Sequence, residues 1–331
     1  MNAKILKAFH QDDGMACILE VQVTPPLGKM SNPMMLKLFD RRYAAVARTW
    51  RLGYGRDPAN WATWVEQEYL EYRCKEKSLI TMQILTQNEP PRWEHLSWEP
   101  AQREIYFEDI MRRHLETEAD AWLRLNPLQC DMIPQFYGRI SVTWDAMSDD
   151  GQSTATGLCH GLLHEEVSGF SLVKLREMVP QSSWQTYCNQ VLKVLQEINE
   201  LDVRTEGLSL LDFALHRIVN GDSDEEEDYD LKDNNDLVVV LINLKSCRIR
   251  EYEQSEHEFR RLLALEDEEF SIGQQLELLT RGAWTYRRSD YYRKLDRDFP
   301  DIKLEQEAEI EEEEPELPIY YTTRGGTPVN R

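Results

Sequence analysis

Met34-Met35-Leu36-Lys37-Leu38-Phe39 is an apolar run broken once, by a lysine, and followed by the charged residues Asp40-Arg41-Arg42. It comes after Pro25, Pro26 and Gly28 and has the length and composition of a β-strand. At the two-residue period of a strand, Lys37 shares a face with Met35 and Phe39, so its ammonium projects among apolar neighbours. Burial makes the charged form of a lysine costly, and an anionic partner is then needed. Without one, Lys37 reads as a gatekeeper on an edge strand. A helix over residues 102–125 offers the partner. Its apolar positions Met111, Leu115, Trp122 and Leu125 fall on one face. Glu118 follows Leu115 by three residues and precedes Trp122 by four, which places its carboxylate within that stripe, while Glu116 and Asp120 point elsewhere. Two opposite charges, each on the buried face of its own element, predict a pair.

Outward from the run, Ile5–His10 and Ala16–Val23 read as strands joined by the hairpin turn Gln11-Asp12-Asp13-Gly14. An insert over 54–98, rich in Trp, Tyr, Pro and charge, carries a helix at Trp61–Tyr72. Beyond the 102–125 helix, Pro127 and Pro134 precede two more strands, Phe136–Val142 and Leu158–Val167. The second half is more helical. Ser182 or Ser183 is expected to cap a helix through Glu200, with the stripe Trp184, Cys188, Val191, Leu192, Leu195 and Ile198. Leu208–Val219 reads as an apolar loop and strand, Leu237–Leu244 as a buried strand, and 255–282 as one or two helices. The order predicts an α+β fold with two lobes: a β-rich part over 1–166, a reduced helical part over 167–298, and an acidic, disordered tail over 299–331.

The formal charge of −22 arises from 38 Lys+Arg against 60 Asp+Glu in 331 residues. It is local: residues 222–236 and 299–316 each hold nine acids and one lysine. Such segments read as solvated, flexible chain, or as a handle for a basic protein partner. General nucleic-acid binding is disfavoured, since a phosphate-backbone binder needs a positive surface. The longest purely aliphatic run, Leu237–Ile242, is far short of a membrane span, and the N-terminus has no signal-peptide core. The six cysteines form no CxxC pair, so neither a disulfide framework nor a zinc pattern is expected. An intracellular protein, cytoplasmic or nuclear, is the expectation. His160 and His164 beside Glu165 and Glu166 raise a metal site, which core and hinge histidines explain at least as well.

A strand lysine paired with a helix glutamate is the arrangement with which protein kinases hold nucleotide phosphates. On these residues the chain resembles the protein-kinase-like superfamily, in particular a group of divergent fungal kinase-like proteins with the character of pseudokinases. Met34–Arg42 looks like the third-strand lysine motif, and Glu116-Thr-Glu118-Ala-Asp-Ala-Trp122 looks like the αC segment. Ile133-Pro134-Gln-Phe-Tyr-Gly138 is similar to the strand after αC. Gly161-Leu-Leu-His-Glu165-Glu166-Val-Ser-Gly169 resembles the connection between lobes, which implies that Glu165 and Val167 meet an adenine edge while Lys37 meets phosphates. Arg248 through Gly273 resembles that group's charged stretch after its metal-binding motif.

The resemblance also implies where chemistry should sit, and there the chain departs from the pattern. Kinases place a base Asp five residues before a metal-binding Asn, then a short strand. The best match, Leu210-Leu211-Asp212-Phe-Ala-Leu-His216-Arg217, makes Asp212 the base if the protein is active and puts Arg217 at the Asn position. A one-residue slip would instead place His216 there and Leu211 at the base. The metal-binding Asp-Phe-Gly is replaced by Asn243-Leu244-Lys245, and an amide is a weaker Mg²⁺ ligand than a carboxylate. The first hairpin lacks the glycine-rich pattern, with Asp12 and Asp13 at its turn. Three readings follow. The leading one is a catalytically degenerate kinase-like domain serving as an interaction or regulatory module, with Lys37 and Glu118 as a brace, ATP an optional ligand and Mg²⁺ weak or absent. The second is an ATP-dependent phosphotransferase using Lys37 and Asp212. The third is an acidic α+β binding protein unrelated to kinases, for which these residues need not converge.

Overall fold

The structure, a computed structural model, describes residues 2–9, 16–24, 33–43, 63–75, 99–147, 153–217, 237–245 and 247–302. The turn at 11–14, the insert 54–98 apart from 63–75, the acidic segment 222–236 and the chain after Ile302 lie outside the described residues. The fold is mixed α+β, with a sheet-rich N-terminal part and a helical C-terminal part, as the order of elements predicts.

The N-terminal sheet has five antiparallel strands in the order β1-β2-β3-β5-β4. They are β1 (Asn2–Phe9), β2 (Cys17–Thr24), β3 (Met34–Phe39), β4 (Phe136–Met147) and β5 (Ser153–Glu165). The run that opens the sequence reading is therefore the central strand, and Lys37 is not an edge gatekeeper. β5 approaches β3 closely at Gly161, where a Cβ would stand 2.7 Å from the Lys37 carbonyl oxygen, so a residue without a side chain is required. One sheet face closes over Leu19, Val21, Val23, Met34, Leu36 and Leu163.

The other face carries two helices, α1 (Thr63–Lys75) and α2 (Pro100–Arg124). Proline at the first position and the Glu99 N–H donating to Gln102 Oε1 at 3.0 Å start α2. The predicted stripe is its buried face: Met111, Leu115, Trp122 and, just past the helix, Leu125. Trp122 stacks on Phe136 and His164 at 5.7 and 5.3 Å between ring centroids, fastening α2 to β4 and β5. At its other end α2 is held through Arg41, buried just after β3. Arg41 reaches Glu104 of α2 at 2.5 Å and Glu66 of α1 at 2.6 Å, and lies over the Tyr69 ring at 3.8 Å.

The core runs on without a break from α2 into the second half. There β6 (Gly169–Ser171) is followed by the short α3 (Leu175–Met178), α4 (Trp184–Glu200), β7 (Val203–Thr205), β8 (Phe213–Arg217), β9 (Leu237–Leu241) and β10 (Cys247–Ile249). Strands pair as β6-β8-β9 and as β10-β7. The α4 stripe packs as predicted, but Ser183 does not cap it by side chain. A 3-10 turn over Gln181–Ser183 already winds the backbone, and Ser183 sits in helical rather than extended conformation.

Residues 255–282 form two helices, α5 (Glu256–Glu266) and α6 (Glu268–Thr280). The chain breaks at Asp267, whose φ is 41° and whose carboxylate accepts from the Phe270 N–H at 3.3 Å. A last helix, α7 (Asp290–Asp298), had no counterpart in the sequence reading. With α5 it encloses a small core of Phe259, Leu263, Tyr292, Leu295, Phe299 and Ile302, so packed chain continues past the boundary expected at 299. No helix among the described residues is long and apolar enough to cross a membrane.

Candidate functional site

Lys37 stands on the α2 face of the central strand, with its Nζ 5.6 Å from the Phe39 ring centroid. It donates to Glu118 Oε2 at 2.7 Å, and the two side chains retain only 7% and 4% of their exposure. The predicted pair thus forms between strand and helix periodicities read independently. Lys37 also donates to Asn243 Oδ1 at 3.1 Å, across 206 positions of sequence.

Asn243 is delivered by β9, which pairs with β8 so that Leu241 faces Phe213. The ladder ends with the Ile242 N–H donating to the Asp212 carbonyl at 2.9 Å, and the next residue's side chain turns to Asp212. Asn243 Nδ2 donates to Asp212 Oδ1 at 2.7 Å. The amide can face only one way here, with its oxygen toward the Lys37 ammonium and the Lys245 N–H at 3.2 Å, and its NH₂ toward a carboxylate. Asp212 is buried at the end of a 3-10 turn, Leu210–Asp212. Its Oδ2 accepts from the Ser209 N–H at 2.9 Å and the Ser209 hydroxyl at 3.0 Å. Lys245 Nζ lies 3.5 Å from its Oδ1. Beneath the cluster, burial first and then the Glu118 carboxylate push the Cys247 thiol pKa far up, so it stays protonated.

Lys37, Glu118, Asp212 and Asn243 therefore converge, while the remaining expected residues do not. Arg217 is exposed at the opposite end of β8, facing Leu237 rather than Leu241. It lies five residue steps from Asp212 along extended chain, roughly 16 Å. The expectation that Arg217 holds a metal-ligand position is overturned: β8 starts directly after Asp212, so the intervening residues are strand rather than loop. The cation beside Asp212 is Lys245, the last residue of Asn243-Leu244-Lys245, which is not among the residues expected at the site. Gly207, with φ 66°, lies five residues before Asp212.

Glu165 faces Met34 across the ladder, three residues from Lys37 along β3. Its N–H donates to the Gln135 carbonyl at 2.8 Å, its carboxylate accepts from the Gln135 N–H at 3.1 Å, and its carbonyl accepts from His164 Nδ1 at 2.9 Å. Its polar groups thus already hold β4 and β5 together. Val167 is half-buried in the link to β6. Burial and the nearby Glu20 carboxylate raise the Glu166 pKa. His164 is buried, and burial chiefly lowers its pKa to about 4, so it is a neutral core residue. Among the described residues no group of three or more His, Cys, Asp or Glu is arranged to hold a metal ion.

The donor set does not suit a divalent metal either. Mg²⁺ demands near-octahedral oxygen ligands. Here the single carboxylate of the pair faces a hydroxyl, an N–H, an amide NH₂ and an ammonium, and the Asn243 oxygen takes two further N–H donors. Lys37 is the group that would meet a phosphate. Among the described residues two of its three donors are engaged, which leaves one for a further acceptor.

No protein-family model matches the sequence, and no curated protein matches it. Among solved structures it is similar to the kinase domain of Mycobacterium tuberculosis PknI in a cysteine-to-alanine mutant. That similarity has 9% identity over 91% of this chain and 95% of that one, with a TM-score of 0.37. A likeness of that size leaves the reading of the site to the chain's own strand order and contacts.

Proposed function

We propose that the chain is a protein-kinase-like domain that has lost metal-dependent phosphoryl transfer and works as an interaction or regulatory module. The observation that carries this reading is the Asn243 amide, which joins the Lys37–Glu118 pair to Asp212 where a kinase would present a metal-binding carboxylate. Phosphoryl transfer rests largely on positioning and on metal charge. This cluster balances its own charge, two ammonium groups against two carboxylates. Asp212 precedes its strand directly, the place of the metal-ligand Asn in the kinase pattern, and the base position five residues earlier falls on Gly207. On this reading Lys37 and Glu118 brace strand against helix. The partner is a basic protein met by the acidic segments 222–236 and 299–316.

A working phosphotransferase is the second reading, favoured by the formed Lys37–Glu118 pair and by Asp212 lying in the same cleft. Thermal melting separates the two. The proposed reading expects ATP with Mg²⁺ to shift the melting temperature no more than ATP with chelator, after correction for Mg²⁺ alone. A Mg²⁺-dependent rise that Lys37→Met removes would favour the phosphotransferase.

A further inference from the structure

Lys245 is the member of the cluster that neither the kinase pattern nor the lysine–glutamate pair accounts for. Its ammonium lies 3.5 Å from Asp212 Oδ1, the same oxygen that accepts the Asn243 NH₂. Its own backbone N–H donates to the Asn243 oxygen at 3.2 Å, so the residue touches both members of the pair. The side chain keeps 41% of its exposure and reaches Asp212 from the solvent side. Asp212, by contrast, is buried, and a buried carboxylate needs a cation or a full set of donors.

We propose that the Lys245 ammonium is a tethered cation standing where the fold family seats a divalent metal, and that it closes the Asp212–Asn243 pair to divalent ions. This inference rests on the kinase-like reading above. A single charge on the chain neutralises Asp212 without the ordered octahedral shell that Mg²⁺ requires. The asparagine follows from the same logic. With an ammonium in place, a second carboxylate at 243 would bring excess negative charge, whereas an amide satisfies Asp212 and Lys37 at once. The substitution also has a reverse. Restoring a carboxylate at 243 and removing the ammonium at 245 sets two acids side by side, with Lys37 against the one at 243, and leaves an excess negative charge that a divalent ion would neutralise.

The test counts bound Mn²⁺ by electron paramagnetic resonance on the full chain. Wild type, Asp212→Asn, Lys245→Met and the double variant Asn243→Asp/Lys245→Met are compared. The acidic segments are common to all four, so differences report on the cleft. Wild type and Asp212→Asn should bind alike. The double variant should bind one more Mn²⁺, at least tenfold tighter than the shared sites, and should melt higher with Mn²⁺ than without. One more ion on wild type than on Asp212→Asn overturns the proposal. So does a folded double variant that gains none. If the double variant does not fold, Lys245→Met decides by the same two readouts: a gain supports the proposal and equality with wild type overturns it. Mg²⁺-dependent ATP turnover by wild type would instead defeat the underlying kinase-like reading. Mn²⁺ at Asp212 without turnover would defeat only the role of Lys245.

Discussion

Asn243 donates to Asp212 at 2.7 Å while accepting from Lys37 at 3.1 Å, so one amide closes a chain of contacts between the central strand and the end of β9. Replacing it by a carboxylate removes the donor to Asp212 and sets two acids side by side. Asn243→Asp should cost about 1–3 kcal/mol at neutral pH. Like-charge proximity raises the pKa of the new pair, so the deficit grows as pH rises from about 4 to 7. Urea unfolding at both ends of that range checks the size and the sign.

The Lys37–Glu118 pair should be costly to break and cheap to replace. Both side chains are buried, and removing one leaves the other charged without its main partner. Lys37→Met or Glu118→Gln should each lose about 3–5 kcal/mol, whereas Lys37→Met with Glu118→Leu should recover much of that loss. A double-mutant cycle by chemical denaturation measures the coupling.

Arg41 serves the far end of α2. It sits between Glu66 and Glu104 and over the Tyr69 ring. Arg41→Lys keeps the charge but loses the fork that reaches both carboxylates, and Arg41→Leu loses both. Melting temperatures should fall in the order wild type, Arg41→Lys, Arg41→Leu. Hydrogen exchange should quicken in α1 and in the first turns of α2 before it does in β3.

His164 should make the fold acid-sensitive. Its native pKa of about 4 lies below the unfolded value near 6.5. Between those values the unfolded chain binds the proton and the native one does not, so stability rises with pH across that window. The resulting destabilisation is absent above pH 6.5 and reaches its full size, about 3 kcal/mol, below pH 4. His164→Phe, which keeps a ring against Trp122, should flatten the slope of stability against pH by that amount.

The sequence made Lys37 and Glu118 legible because each interrupts a strong apolar period, and a charge within such a period demands a partner. Asn243 was legible only through the resemblance, as the residue after the Leu237–Ile242 strand where a kinase has its metal-binding Asp. The register after Asp212 was not. A loop and a strand differ little in composition over Leu210–Arg217, so the resemblance puts Arg217 in the cleft, and β8 carries it away. Lys245 carries no signal of its own in the sequence: it is one charged residue after a strand, and only the fold brings its ammonium to Asp212. The last helix was hidden by its charge: only Tyr292 and Leu295 of α7 are buried, too few to announce a period. Phe299 and Ile302 pack only because that helix brings them to Phe259, a contact no local pattern encodes.

The central claim, that this cleft no longer performs metal-dependent phosphoryl transfer, meets its most direct test in turnover of γ-labelled ATP. Wild type and Asp212→Ala should be assayed side by side with Mg²⁺ and with Mn²⁺, each enzyme in excess of nucleotide. The account predicts the same background release of label from both proteins, unchanged by either metal. Metal-dependent release by wild type that Asp212→Ala abolishes would contradict it.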